Sequence, residues 1–195
     1  GDVPFLEETR WSGFSKMRYD ASSELEALLE HPDVFVCDPS THHPIELLEL
    51  ASGDSVLDLC AAPGGKSRQI LQEVGSGGFL CSIDLPNDRL QRLEDNLKTY
   101  SNAVVIGIDV LRLDSEILRE RCGVAHFDKV LLDAPCSNMG VLRRRVDARW
   151  RIKEKDIFSC ADLQLMLLQK ASEYVKPGGI LVYSTCSIEH EENEA

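Results

Sequence analysis

From residue 55 onward, short aliphatic runs alternate with stretches in which apolar residues recur every three or four positions. The runs are Ser55 to Leu59, Phe79 to Ile83, Ala103 to Ile108, Lys129 to Leu132 and Gly179 to Ser184, nearly all apolar, as strands buried on both faces of a parallel sheet are. Between them, Ile70/Leu71/Val74, Leu90/Leu93/Leu97 and Leu163/Leu167/Ala171/Tyr174 mark helices with one apolar face. Strand and helix in alternation predict an α/β fold, an open and mostly parallel sheet with right-handed crossovers whose ligand sits beyond the carboxyl ends of the strands. Upstream the pattern is less regular. Ser23 to Glu26 has capping-box spacing for a short helix stopped by His31-Pro32, Val34 to Asp38 suits a strand, and Pro44 suits the first turn of a helix to about Leu50. A lead-in segment, residues 1–50, therefore precedes the main domain, residues 51–195.

A length of 195 residues suits one compact core, and 43% hydrophobic residues exclude global disorder. No run approaches the roughly 18 to 20 apolar residues of a membrane span, and the acidic opening is unlike a signal peptide. We expect a soluble intracellular protein with no membrane partner. Seven cysteines without a Cys-x-x-Cys pair predict reduced thiols and no zinc site, and His42-His43 reads as a polar surface loop rather than a metal ligand pair. The net charge of −12 argues against nonspecific coating of nucleic acid. Its distribution is uneven: residues 1–50 hold three basic and eleven acidic side chains, whereas residues 143–155 hold seven basic and two acidic ones.

Cys60-Ala61-Ala62-Pro63-Gly64-Gly65-Lys66-Ser67 joins the first strand of the main domain to a helix, and small residues there let a ligand approach the backbone. Gly65-Lys66-Ser67 matches the end of a phosphate-binding P-loop. That motif wants glycine where Cys60 stands, however, and Pro63 removes an N–H from the cradle. A nucleoside without a phosphate chain fits better, and S-adenosylmethionine is such a ligand. Asp58, Asp84, Asp109 and Asp133 are spaced by 26, 25 and 24 residues, one per strand–helix unit, which predicts a carboxylate at each of four strand tips. Asp84 would then accept from the ribose hydroxyls and Asp109 from the adenine amine.

Two further strand tips carry thiols, in Asp133-Ala-Pro-Cys136-Ser137 and Ser184-Thr-Cys186-Ser187. Cys37, Cys81, Cys122 and Cys160 read as packing. A thiolate beside a methyl donor suggests pyrimidine chemistry: addition to carbon 6 of cytosine makes carbon 5 a nucleophile, and Asp133 is placed to hold ring nitrogen 3 and the amine. The chemistry leaves open which cysteine attacks. Arg143, Arg144, Arg145, Arg149, Trp150, Arg151 and Lys153 combine charge with one aromatic, as a site holding RNA near an extruded base does. The acidic run Glu189 to Glu194 reads as a solvated helix start.

Leu57-Asp-Leu-Cys-Ala-Ala-Pro-Gly-Gly-Lys66, Asp133-Ala-Pro-Cys-Ser137, Gly140-Val-Leu-Arg-Arg144 and Tyr183-Ser-Thr-Cys-Ser187 with Glu191-Glu-Asn193 resemble the Sun-type RNA cytosine-5 methyltransferases. Within these, the likeness is to the bacterial small-subunit ribosomal RNA branch, and it covers about residues 38 to 195. The resemblance implies a class I, Rossmann-like methyltransferase fold. It also implies S-adenosylmethionine held by Cys60, Ala61, Ala62, Pro63, Gly64, Gly65 and Lys66 with Asp84, Asp109 and Asp133. Cys186 becomes the nucleophile and Cys136 the release residue, and the product is 5-methylcytosine in RNA, ribosomal RNA first and transfer RNA second. The rival reading is a silent homologue acting in ribosome assembly. Val146 stands where the branch has proline, residues 37–41 match its polar segment only loosely, and the first 30 residues match nothing. The family's sheet continues through two more strands, so a truncated catalytic domain is expected.

Overall fold

The computed structural model describes residues 6–8, 14–17, 26, 34, 36–143, 146 and 148–194. They fall into two compact units, Gly1–His43 and Pro44–Ala195. In the first, β1 (Leu6–Glu8) pairs antiparallel with β2 (Ser15–Met17). A 3-10 turn, Pro39–His42, is capped by Asp38, whose carboxylate accepts the Ser40 N–H at 2.7 Å. The strand expected over residues 34–38 does not form at the described residues 34 and 36–38. Val36 is exposed there, and Asp38 caps the turn instead. The helix expected from Ser23 lies outside the described residues apart from Glu26, which is helical.

The second unit opens with α1 (His43–Leu47), Pro44 in its first turn. It stops before the expected Leu50 because the chain turns at Glu49, where φ is +50°. Five strands then form one parallel sheet: β3 (Ser55–Leu59), β4 (Phe79–Asp84), β5 (Ala103–Gly107), β6 (Phe127–Asp133) and β7 (Val175–Ser184), in the order β5-β4-β3-β6-β7. All five coincide with apolar runs in the sequence. The order reverses direction between β4 and β6 on either side of β3, and that crevice is where an open α/β sheet binds ligands.

The crossovers are α2 (Gly65–Val74), α3 (Asp88–Leu97), α4 (Ser115–Cys122) and, after a short α5 (Ala148–Arg151), the long α6 (Glu154–Ser172). Side-chain alternation along the strands feeds two cores. Val56, Leu80 and Leu131 meet Ile70 and Val74 of α2 and Leu93 and Leu97 of α3 on one face. Leu57, Leu59, Ile83, Val130 and Leu132 meet Leu118 of α4 and Leu167 and Ala171 of α6 on the other. Asn87 caps α3 and Asp114 caps α4, each accepting a first-turn N–H at 2.8 Å. At the amino ends of the strands, Asp128 accepts from Ser55 N at 3.0 Å, Ser55 Oγ at 2.6 Å and Lys176 Nζ at 2.8 Å, pinning β3, β6 and β7 together. Among the described residues no helix is long and apolar enough to cross a membrane.

Candidate active site

At the carboxyl edge the chain leaves β3 through Cys60, where φ is +61°, and turns over residues 61–64 into α2. Main-chain bonds hold this loop: Ala61 N donates to Ile83 O at 3.0 Å and Gly64 N to Ala61 O at 2.8 Å. Side chains secure its remaining polar groups. Ala62 N donates to Asp84 Oδ2 at 2.8 Å, Arg89 donates to Ala62 O, and Asn96 Nδ2 donates to Pro63 O at 2.7 Å. Gly64 has φ of +100°, and a Cβ there would lie 2.9 Å from Leu93 Cδ1, so only glycine fits without displacement. At Gly65 a Cβ would meet nothing within 4 Å, which leaves open space above the loop. Burial, with Asp84, Asp58 and Asp133 adding to it, pushes the Cys60 thiol up to about 12, so this sulfur stays protonated.

The four acids do not all stand at strand tips. Asp58 is the penultimate residue of β3 and fully buried, accepting from Ser67 Oγ at 2.6 Å, while its Oδ1 has no hydrogen-bond partner. Burial raises its carboxyl to about 7. It underlies the loop rather than lining the edge, because alternation directs it onto the face covered by α2, against Ser67. Asp84 ends β4, and its Oδ1 accepts from Leu85 N at 2.8 Å. Asp109 lies two residues past β5 and caps the 3-10 turn Val110–Arg112 through Leu111 N at 3.0 Å. Asp133 ends β6 and accepts from Lys66 Nζ at 2.6 Å, joining the glycine loop to the strand that leads to Cys136.

The two cysteine loops leave adjacent strands, with Asp133 opposite Ser184 and Ala134 N donating to Ser184 O at 2.8 Å. Cys136 Sγ and Cys186 Sγ stand 3.0 Å apart, Cys186 exposed and Cys136 half-buried. Asn138, in the left-handed region at φ +63°, donates through Nδ2 to Cys136 O at 2.9 Å and accepts from Cys186 Sγ through Oδ1 at 3.2 Å. Gly140 N donates to Cys186 O at 3.0 Å, and a Cβ on Gly140 would lie 2.5 Å from that oxygen. The hydrogen bond from Cys186 is the chief reason the Cys136 thiol is brought down to about 6, helped by Thr185 and neighbouring N–H groups against burial. The same bond pushes Cys186 well above the usual thiol range, since ionising it as well would place two sulfur anions in contact. Two sulfurs 3.0 Å apart thus favour sharing one proton over ionising together.

Glu192, Gln164, Ser137 and Ser187 form a buried polar cluster behind the thiols that the sequence reading missed. Glu192 is 3% exposed and accepts from Ser137 and Ser187, which overturns the solvated reading of the acidic run at this position. The clue in the sequence was a serine directly after each cysteine. Of the basic island, Trp150 stands out on α5, 81% exposed, and Arg143, Arg151 and Lys153 are exposed as well. Arg144, Arg145 and the Arg149 side chain lie outside what the structure describes. Cys81 is buried in the core and hydrogen-bonded to Cys122, remote in role from the thiol pair. Among the described residues no cluster of three or more His, Cys, Asp or Glu could hold a metal ion.

Comparison with known proteins places this geometry. Ribosomal RNA small subunit methyltransferase B of Enterobacter sp. (strain 638) is 38% identical over 199 aligned positions, covering 98% of this chain and 45% of the relative. The protein of that name from Klebsiella pneumoniae (strain 342) is 42% identical over 160 positions, 82% of this chain and 36% of its own length. The chain thus spans less than half of these relatives. The crystal structure of NSun6 from Pyrococcus horikoshii with SFG superposes with a TM-score of 0.70 at 32% identity, covering 82% of this chain and 40% of that one. The family described as 16S rRNA methyltransferase RsmB/F matches residues 45–195, which takes in the whole sheet, the glycine loop and both cysteine loops. The chain belongs to that family.

Proposed function

We propose that the protein transfers a methyl group from S-adenosylmethionine to carbon 5 of a cytosine in RNA, ribosomal RNA in the first instance, through a covalent bond to Cys186. The observation that carries this reading is a pair of loop thiols 3.0 Å apart at neighbouring strand ends, beside a glycine loop open to a ligand. The names of the relatives support the ribosomal RNA part.

The residues present fit the cofactor. Open space over Gly65 admits a ligand against the backbone, and Asp84 keeps a lone pair on each oxygen for ribose hydroxyls after accepting Ala62 N and Leu85 N. Residues 60–66, Asp84, Asp109 and Asp133 would hold it, and when bound it supplies an electrophilic methyl on a sulfonium. Cys186, exposed, passes its proton to solvent and adds to carbon 6 as the thiolate, forming the S–C6 bond and moving the C5=C6 electron pair toward carbon 5. Asp133, steadied by Lys66, faces ring nitrogen 3 and the amine. After methylation the Cys136 thiolate takes the proton from carbon 5, the C–H pair re-forms the C5=C6 double bond, and the S–C6 bond breaks with its electron pair returning to Cys186 as thiolate. Trp150 and the exposed basic side chains around it supply contacts for the strand that carries the base.

Incubation of the full-length protein with labelled S-adenosylmethionine and small-subunit RNA tests this. Methyl incorporation abolished in Cys186→Ala, and a protein–RNA adduct accumulating in Cys136→Ala, are the expected results. In Cys136→Ala the neighbouring anion is gone, so Cys186 titrates nearer its ordinary value and addition continues. An adduct trapped by Cys186→Ala instead would reverse the roles, and a wild-type protein that binds RNA without methylating it would favour the assembly-factor reading.

A further inference from the structure

The carboxylate of Glu192 collects donors from three separate parts of the chain. Its Oε2 accepts from Ser137 N at 3.0 Å and from Gln164 Nε2 at 2.8 Å. Its Oε1 accepts from Ser187 Oγ at 2.7 Å and from Ser137 Oγ. Ser137 follows Cys136 and Ser187 follows Cys186, so both thiol-bearing loops are drawn onto one side chain. Gln164 on α6 also donates to Pro135 O at 2.8 Å, fixing the turn before Cys136 to the same support. Tyr183 OH donates to the Glu192 main-chain oxygen at 2.8 Å, which holds the glutamate itself against β7. Although burial alone raises a carboxyl, hydrogen bonds from Ser137, Ser187 and Gln164 outweigh it and keep Glu192 below its ordinary value, hence charged. Its titratable neighbours are Cys160 on α6 and Tyr183 on β7, both raised chiefly by burial and further by the Glu192 charge.

A buried charge with four donors is a rigid object, since each donor lost leaves the carboxylate less compensated in a poorly solvating interior. We propose that Glu192 is the positioning residue of the thiol pair: by binding Ser137 and Ser187 to one carboxylate, it holds the sulfurs of Cys136 and Cys186 in contact. This deepens the reading of Cys186 as nucleophile and rests on it for its catalytic meaning. Glu192 reaches neither sulfur itself. It acts through the residues that follow them, and so determines whether the nucleophile and its partner share one proton.

The test uses the thiols rather than the methyl transfer. Phenylarsine oxide bridges two sulfurs only when they are close, and the bridged peptides are identified by mass spectrometry. Wild type is expected to take one arsenical across Cys136 and Cys186, and its Cys136 is expected to react with iodoacetamide with a midpoint near pH 6. Glu192→Gln should lower the bridged fraction by about tenfold and move that midpoint toward the ordinary 9, with Glu192→Asp restoring part of both. Circular dichroism confirms that the variants remain folded. A folded Glu192→Gln with wild-type bridging and midpoint overturns the proposal. Should Glu192→Gln not fold, Ser187→Ala removes a single donor and is expected to lower bridging about threefold, and wild-type behaviour there overturns it equally. Methyl incorporation is measured in parallel on full-length protein. If wild type bridges the arsenical but methylates no RNA, the functional reading fails while the positioning role stands. If the variants lose methylation with bridging and midpoint unchanged, the positioning role fails alone.

Discussion

The glycine loop and the thiol pair face the same crevice but are built in opposite ways. Residues 60–67 form one continuous stretch whose shape is set by main-chain bonds, a positive φ at Gly64 and three side chains, Asp84 of β4 with Arg89 and Asn96 of α3. The thiol pair has no such local origin. It is assembled from the loops after β6 and β7 and from α6, and its stability is collective, centred on Glu192. A cradle held by one stretch, β4 and α3 tolerates damage in the loops after β6 and β7, whereas a site assembled from those loops and α6 loses its geometry when any one contributor moves. The two halves should therefore be separable by mutation.

The sharpest way to break this contrast is Gly140→Ala. A Cβ would stand 2.5 Å from Cys186 O, backbone against backbone, and no side chain can swing aside to relieve it. Methyl transfer should fall by roughly 100-fold, because misplacing a reacting group by about an ångström has that effect, while calorimetric affinity for S-adenosylmethionine stays at the wild-type value. Equal loss of both would show the halves to be one unit. The reciprocal variant is Gly64→Ala, where the left-handed backbone and Leu93 oppose the new methyl. Cofactor affinity is expected to drop about tenfold, in line with a strain of about 1–2 kcal/mol, with arsenical bridging of the cysteines unchanged.

Asp58 sharpens the comparison through pH. Burial raises its carboxyl from 3.8 to about 7, so between those values the folded protein binds a proton that the unfolded chain has released. Its contribution to stability is whole below about 3.8 and is lost as the pH climbs through about 7. Asp58→Asn removes that slope. Measured by urea unfolding, the variant should gain on wild type between about pH 4 and pH 7 and hold a constant difference above that, and a constant difference across about pH 4 to 7 would show that Asp58 does not titrate there. The smallest effect is expected from Asn96→Ala, which frees Pro63 O: a loss of about 1 kcal/mol in unfolding free energy and a few-fold weaker cofactor binding, with cysteine reactivity untouched.

Much of the fold was legible because a parallel sheet covered by helices on both faces needs strands that are apolar throughout, and such runs stand out. The helix α4 did not, since only Leu118 of its eight residues is buried, Ile117 and Cys122 are partly so, and the other five are polar or charged. Alternation explains the misplaced acid: Asp58 has the spacing of a tip residue but lies inside β3, so its side chain is directed onto the α2 face, against Ser67. The buried role of Glu192, quoted only as part of a family motif, was hidden for a different reason. An acidic run looks solvated unless the donors that bury one member are known, and here they come from residues as far away as Ser137. Asn138 likewise carries no signal beyond a tolerance for positive φ, yet in the fold it contacts the Cys186 sulfur.

The central strand of the sheet is also the first of the five to be synthesised. Its neighbour β4 follows soon after, but its other flank waits for β6: Ser55 and Asp128, which meet across that flank, are 73 residues apart. While a ribosome makes the intervening chain, an apolar ribbon stands with one side unmatched and open to pairing with stray strands. Translation pace through that interval thus bears on the yield of soluble protein, with slow codons there favouring aggregation and brisk ones favouring recovery.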